Sequence, residues 1–320
     1  MIEEKLKEKI KKVKNDNNRT ISLYSDVIFK AVFKKCERIL ITMIKDIFEL
    51  EEDVDNPITI VGYESLPINK NGKTYKADLV VKLSDKSRIL VEMNYSNDEE
   101  VIDRNLVQLV RIHSDILPKG LEDSKLKEYR LKGINFNNFP NTSGDPIEMF
   151  AFCNIKTGNI ISMMYSFCNV DLEKCRNLVY DIGVSKLPKA VRWGAILKET
   201  NINKISDILG KDMLSMEEKK EFIENIKDVN SDDILLNDWL LIELQKHKER
   251  CQREYAMKQG REEGLKQGIK KGREEGLKQG IKEGREEVII NMLNIGMDYN
   301  IISEVTGKTT EEIKEIHSNI

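Results

Sequence analysis

Two apolar segments separated by a short turn constrain the fold of this chain more than any other feature. The stretch KADLVVKLSDKSRILVEMNYS, residues 76–96, is rich in β-branched residues on both sides of the turn SDKS. This pattern predicts an antiparallel β-hairpin. Asp78 lies near the start of the first predicted strand and Glu92 near the end of the second, so a hairpin that is otherwise apolar carries two acids.

The register of the hairpin decides whether these acids meet. Side chains alternate along a strand, so Glu92 and Asn94 share a face and lie roughly 6.5–7 Å apart. Asp78 shares that face only if it pairs with Glu92 or Asn94. Pairing with Glu92 makes the partner numbers sum to 170 and requires a three-residue loop, whereas an even loop pairs Asp78 with Met93 and turns it away. We therefore expect an odd loop or a bulge.

A divalent cation would explain two neighbouring buried carboxylates. An unpaired buried charge is costly, and two like charges close together are costlier. Mg²⁺ binds few protein carboxylates, keeps several waters and accepts phosphate oxygens as further ligands, and such an ion activates a water to attack a phosphodiester. In this interpretation Asp78 and Glu92 bind the metal and Asn94 orients the water. The alternative on spacing alone is a pair of solvated acids at a sheet edge.

The segments around the hairpin predict an α/β domain. Apolar residues three to four apart from Ile28 to Phe48 indicate helix, capped by Ser25 or Asp26. Further strands are predicted at ITIVGYESLP before the hairpin and, after a helix over about 99–117, at GINFNNF, PIEMFAFCNI and NIISMMYSFCNVDL. We predict an α/β core over residues 21–183, preceded by a tail or frayed helix over 1–20 and followed by a helical region over 184–237.

Glycine recurs every fourth residue from Gly260 to Gly284, inside a long charged helix predicted over 238–287. Each glycine costs about 1 kcal/mol relative to alanine. Pairs of Glu and Lys four residues apart, such as Glu262 and Lys266, partly offset this loss. The helix is either a solvated linker or a close contact between two copies of the chain, which would make assembly a function of its own.

Residues 288–320 predict a small helical module. Thr309 and Glu312 have the spacing of a capping box. A helix–turn–helix of this size either enters a DNA groove or serves as a packing module, and its predicted second helix offers almost no basic or amide side chains for reading bases.

Composition excludes several classes of protein. Charged residues make up 33% of the chain but the formal net charge is −3, so binding of nucleic acid requires a local basic patch. Lys70, Lys73 and Lys76 are candidates for it, or an ordinary solvated strand edge. Three distant histidines argue against a zinc site or a histidine-dependent triad. An odd number of cysteines, no apolar leader and no membrane span favour the cytoplasm.

These motifs together resemble the recombination-promoting nuclease (Rpn) or putative transposase family of the PD-(D/E)XK nuclease superfamily. SDVIFKAVF is similar to the family's N-terminal D-x-x-F-K-x-x-F segment, and KADLVVKLSDKSRILVEMN to its D-hairpin-E-x-Q core. DRNLVQLVRIHSDIL is similar to the helix after that core, with Arg104 at the usual arginine position. The later strands and the glycine-punctuated C-terminal end follow in the family's order.

The resemblance implies a fold and an activity. The fold is an α/β restriction-endonuclease-like core, a central mixed sheet flanked by helices, followed by an all-helical C-terminal region with a long helix. The activity is DNA cleavage dependent on Mg²⁺ or Mn²⁺, with DNA as partner. The homodimer through the C-terminal helices is expected from the glycine stripe of the long helix and not from the resemblance. Asp78, Glu92 and the main-chain carbonyl of Met93 become metal ligands, and Asp26 and Gln108 become site residues.

One position departs from the family pattern. Asn94 stands where the family usually has Gln and the wider superfamily has Lys. Lysine supplies a positive charge beside the nucleophile, whereas an amide can only hydrogen-bond to a water. Two functions therefore stay open: a metal-dependent endonuclease, and a nuclease fold without activity that binds DNA or another partner. Arg104 either holds a phosphate or the site's carboxylates, or pairs with Asp103 or Glu100.

Overall fold

The structure, a computed structural model, describes residues 2–50, 57–63, 78–95 and 101–319. It divides into two compact units, Met1–Leu244 and Gln245–Ile320. The predicted basic patch of Lys70, Lys73 and Lys76 lies outside the described residues, as does Glu100. None of the described helices combines the length and the apolar character that crossing a bilayer requires.

The first unit is built around a mixed β-sheet. Its strands are β1 (Ile60–Tyr63), β2 (Leu79–Leu83), β3 (Arg88–Asn94), β4 (Leu131–Asn137), β5 (Ile147–Cys153) and β6 (Ile160–Asp171). They lie in the order β1-β2-β3-β4-β6-β5. β3, β4 and β6 run parallel, while β1 and β2 on one side and β5 on the other are antiparallel to their neighbours. The central mixed sheet that the resemblance implies is confirmed.

Helices pack on both faces of this sheet. They are α1 (Ile2–Asn15), α2 (Asp26–Lys35), α3 (Glu37–Phe48), α4 (Val101–Ile116), α5 (Leu172–Ile182), α6 (Lys189–Lys198), α7 (Ile202–Ile208), α8 (Met216–Ser231) and the start of α9 (Asp233–Asn294). α4 crosses over between the parallel strands β3 and β4 and packs Leu109 and Ile112 on one face. The helical stretch predicted over 28–48 is two helices, because the backbone at Cys36 is not helical.

The other face of the sheet forms the main apolar core. Phe29 and Phe33 of α2 are fully buried, and Phe33 meets Phe222 of α8 with ring centroids 5.5 Å apart. Trp193 of α6 is also fully buried and donates its indole N–H to Asp46 at 2.7 Å. Helices beyond residue 184 therefore share one core with the sheet.

The hairpin of β2 and β3 has the predicted register. Paired residues sum to 170 along the ladder: Leu79 with Val91, Val80 with Leu90, Val81 with Ile89 and Lys82 with Arg88. The Leu83 N–H donates to the Ser87 carbonyl at 3.0 Å across a three-residue loop. Lys86 in that loop adopts φ 67°, in the left-handed region, and this lets an odd loop close the hairpin. The expected odd loop is confirmed.

The second unit carries the glycine repeat on a continuous helix. A Cβ added at any of the glycines from Gly260 to Gly284 would meet no atom within 4 Å. Leu265 and Ile269 of the repeat are each 64% exposed. Nothing within the described part of the chain covers the glycine stripe, so the linker and the contact between copies both stay predictions.

The end of the chain forms a small helical module. α10 (Tyr299–Thr306) and α11 (Thr310–Ser318) enclose a cluster with the end of α9, made of Ile289, Leu293, Ile302 and Ile313. The capping box of Thr309 and Glu312 is confirmed. Gly307 ends α10 with φ 72°. Groove binding by this module stays a prediction.

Candidate active site

Polar side chains line one face of the sheet where the three parallel strands end. Glu92 and Asn94 of β3 pair with Asn135 and Asn137 of β4. The next strand, β6, continues both rows with Asn169 and Asp171. Paired residues of neighbouring strands point to the same face, so the six side chains form a compact polar patch. All six are at most 5% exposed, an unusual degree of burial for such residues.

Asp78 and Glu92 converge at the edge of this patch. Asp78 precedes β2 by one residue, opposite Glu92 in the extended register. The Asp78 N–H donates to Glu92 Oε1 at 3.3 Å, and the Met93 N–H donates to Asp78 Oδ2 at 2.7 Å. The two acids predicted from the sequence are therefore brought together, each held by the backbone of the other's strand.

The site carries more negative charge than its surroundings balance. Burial raises the pKa of Glu92 well above its usual 4.5, and the neighbouring Asp78 charge raises it further. The Asp78 backbone N–H and the Arg104 charge lower the pKa of Glu92, while the Asp26 charge opposes them. An acid that resists ionisation beside a second acid marks a place where a cation would relieve the repulsion.

The donor set fits a hard divalent cation. Within the described ranges, no three His, Cys, Asp or Glu residues gather into a metal-binding group, so the protein offers the two carboxylates and main-chain oxygen. A residue's N–H and C=O point to the same side of a strand, so the Met93 carbonyl faces the edge where its N–H meets Asp78. Mg²⁺ prefers this arrangement, in which a few carboxylates bind the ion and waters complete its coordination shell.

Asn94 is held on every side. Its side-chain Nδ2 donates to Asn137 Oδ1 at 2.9 Å, and its Oδ1 accepts from Arg104 Nη2 at 3.0 Å. Its main-chain carbonyl accepts from the Asn138 N–H at 2.9 Å and from the Tyr24 hydroxyl. The side chain is 2% exposed. The water-orienting role of Asn94 stays a prediction.

Asp26 and Gln108 lie on two different helices, α2 and α4. Asp26 opens α2 and forms an ion pair with Lys30 at 2.7 Å, and its charge reaches Glu92. Gln108 lies one turn after Arg104 on the buried side of α4. Its Oε1 is buried and meets no hydrogen-bond donor among the described residues. A buried acceptor without a donor is unusual and marks a place for a water or a ligand.

An asparagine network that the sequence patterns did not predict lies on the same face of the sheet as Glu92. Asn105 of α4 donates to Asn135 at 3.0 Å, and Asn135 donates to Asn169 at 2.8 Å. In the second row Asn137 donates to Asn141 at 3.5 Å. A cavity of about 40 Å³ lies among these amides. The sequence signal was the alternation of Asn with apolar residues in GINFNNF, which predicts one polar face of a buried strand.

The chain matches a known protein family over most of its length. A model described as PD-(D/E)XK nuclease family transposase matches residues 23–238. The matched range contains all the strands described above and the acid pair, and it reaches the first turns of α9. No curated protein and no solved structure matched the chain.

Proposed function

Because the chain belongs to the PD-(D/E)XK nuclease family of transposases, we propose that it is a divalent-metal-dependent endonuclease that hydrolyses phosphodiester bonds of DNA in recombination or transposition. Nucleases of this superfamily generally use divalent metal ions. The observation that carries the proposal is the convergence of Asp78 and Glu92, with the pKa of Glu92 raised by burial and by its neighbour.

Each residue of the site has a part in this proposal. The carboxylates of Asp78 and Glu92 and the carbonyl of Met93 hold Mg²⁺ or Mn²⁺, and Asp26 and Gln108 border the site. When bound, such an ion polarises the phosphodiester and lowers the pKa of a coordinated water. The Met93 N–H fixes the orientation of the Asp78 carboxylate, and the Asp78 N–H restrains that of Glu92. Burial of Glu92 strengthens each of these electrostatic interactions.

Cleavage of a supercoiled plasmid tests the proposal. We expect the wild type to cut with Mg²⁺ or Mn²⁺ and Asp78→Asn to lose more than about a hundredfold in rate, because a metal supplies several kcal/mol of charge stabilisation. Asp85→Asn, in the loop of the same hairpin, is the matched control and keeps its activity. Equal cutting by Asp78→Asn and the wild type would remove Asp78 from the mechanism.

A DNA-binding protein on an inactive nuclease fold is the second candidate. It is favoured by Asn94, whose amide is engaged at both ends within the fold. Calorimetry with Mn²⁺ discriminates between the two: a saturable site that Glu92→Gln abolishes supports the enzyme. DNA binding without a saturable metal site supports the second candidate.

A homodimer through the C-terminal helices completes the proposal. The exposed glycines of α9 leave room for a close helix–helix contact along the repeat. Deletion of residues 260–284 is expected to convert dimer to monomer in light scattering. An unchanged mass after the deletion would contradict this contact.

A further inference from the structure

We propose that Arg104 of α4 is a catalytic residue of this site, contacting the scissile phosphate, and that Asn94 is the residue that positions it. This inference rests on the proposed nuclease function. It gives Arg104 the positive charge that Asn94 of β3 does not carry. In the wider superfamily a lysine at the position of Asn94 supplies the positive charge. Here Arg104 supplies that charge and Asn94 holds Arg104 in place.

The orientation of the Asn94 amide excludes it from the acid pair. Its Nδ2 donates to Asn137 on β4, whereas Asp78, the residue before β2, lies on the opposite side of β3. Asn137 in turn donates to Asn141, so the direction of this row of amides is fixed along its length. Reversing the Asn94 amide would place donors against Arg104 and oxygens against Asn137 Oδ1. The amide therefore faces β4 and α4.

Arg104 supplies a positive charge near the acid pair, where the Asn94 amide supplies none. Its Nη2 lies 3.0 Å from Asn94 Oδ1, and its charge acts on the Glu92 carboxylate two residues away along β3. The side chain is half-buried, so its charge is shielded less by water than that of a surface arginine. A guanidinium is always protonated, offers five donors in a planar fork and binds phosphate oxygens in pairs. The bond to Asn94 uses one of these donors.

The charges of the site favour an arginine there. The ionised carboxylates of Asp78 and Glu92 neutralise a divalent ion, and the Asp26 charge is paired with Lys30. Arg104 then leaves one net positive charge to face a phosphodiester, which carries one negative charge and gains another in the transition state. Charge placed where negative charge develops is the main source of catalysis in such reactions.

The chemical step needs no proton from Arg104. Water adds to phosphorus and releases a proton to solvent, while the bond from phosphorus to the leaving oxygen breaks and that oxygen takes up a proton. The products are an alcohol and a phosphate monoester. Arg104 donates hydrogen bonds to the non-bridging oxygens throughout and stays charged.

Substitution of Arg104 tests the inference. Arg104→Met is expected to lower kcat about 10²–10³-fold with Mn²⁺ affinity, measured by calorimetry, retained or tighter. Arg104→Lys recovers part of the rate at an unchanged pH profile. Arg111→Met, two turns further along α4, is the control and keeps wild-type kcat. Thermal unfolding confirms that each variant is folded.

A double-mutant cycle separates positioning from direct action by Asn94. If Asn94 acts through Arg104, Asn94→Leu lowers kcat, and the Arg104→Met, Asn94→Leu double variant is no slower than Arg104→Met alone. Independent losses in the double variant would overturn the positioning role. Wild-type kcat in Arg104→Met, while Asp78→Asn is inactive, would overturn the role of Arg104 and leave the nuclease intact. A wild type that binds no metal and cuts no DNA would overturn both proposals.

Discussion

The two faces of the central strands are made by the same segments and differ in almost every property. Toward α2, α3 and α6, Val91 and Ile134 lie in a continuous apolar core and are fully buried. One residue further along the same strands, Glu92 and Asn135 are 5% exposed and polar. The side chains are thus buried to nearly the same extent on the two faces, but they are apolar on one face and polar on the other.

The difference shows two ways of stabilising a buried surface. An apolar face is stabilised by the area it removes from water, at roughly 25 cal/mol per Å². A polar face gains little from area and depends on hydrogen bonds to every donor and acceptor. Along β3, β4 and β6 the amides meet this condition, whereas the buried Gln108 Oε1 and Asn105 Oδ1 of α4 accept no hydrogen bond from the described residues.

Truncation on the apolar face is expected to have the largest effect on stability. Phe136→Ala removes a fully buried ring of β4 and should lower the free energy of unfolding by about 3–5 kcal/mol, because it leaves a cavity. Urea unfolding measures the loss. Cleavage per folded molecule should stay at the wild-type level. A matching loss of cleavage in the folded fraction would mean that the two faces are not independent.

Truncation on the polar face is expected to cost less. Asn135→Ala leaves Asn105 Nδ2 and Asn169 Oδ1 without their partner and should lower the free energy of unfolding by about 1–3 kcal/mol. The same urea measurement applies, and Asn138→Ala at the end of β4 serves as a comparison outside this row. No loss of stability in Asn135→Ala would show that water replaces the amide in the row.

Glu92→Gln is expected to stabilise the metal-free protein. The folded pKa of Glu92 lies above its usual 4.5, so its contribution to stability is complete below that pH and is lost as the pH rises through the folded pKa. The variant lacks this loss and should melt at a higher temperature than the wild type at pH 7 in EDTA. Mn²⁺ should raise the melting temperature of the wild type only. A lower melting temperature of Glu92→Gln than of the wild type in EDTA would contradict the inference that the ionised Glu92 carboxylate destabilises the metal-free protein.

His113, lower on the polar face, should give the smallest effect. Its Nε2 contacts the Tyr129 carbonyl at 3.0 Å and its Nδ1 the Tyr165 hydroxyl, and burial lowers the pKa of the imidazole more than the carbonyl raises it. The contribution to stability is therefore present above the usual value of 6.5 and lost as the pH falls through the folded pKa. His113→Phe should flatten the dependence of melting temperature on pH below 6.5. Equal slopes in His113→Phe and the wild type would place the acid-sensitive group elsewhere.

The register of the hairpin was predictable because it is a local property. Asp78 and Glu92 are 14 residues apart, and a three-residue loop fixes their pairing. The loop length follows from the requirement that both acids lie on one face of the hairpin. The sequence therefore predicted that the two carboxylates lie together. The sequence did not predict the break between α2 and α3, because the helical spacing of apolar residues continues through Cys36.

The roles of Arg104 and the asparagines depended on contacts that are distant in sequence. The row from Asn105 to Asn169 requires β4 to lie between β3 and β6 in one register, and its hydrogen bonds join residues that are 30 and 34 positions apart. No spacing in the sequence specifies which of two possible neighbours an amide will bind. Residue types alone left Arg104 with several equivalent partners.

By itself the sequence determined the alternation of apolar and polar residues, the strands and helices that follow from it, and the pairing of two acids across a short loop. These are consequences of side-chain periodicity and of chain length, which act over a few residues. Only the tertiary structure decided that the amide of Asn94 faces β4 and that the charge beside the acids comes from α4. The physical reason is that a buried polar side chain takes its orientation from whichever partner packing brings within hydrogen-bond distance.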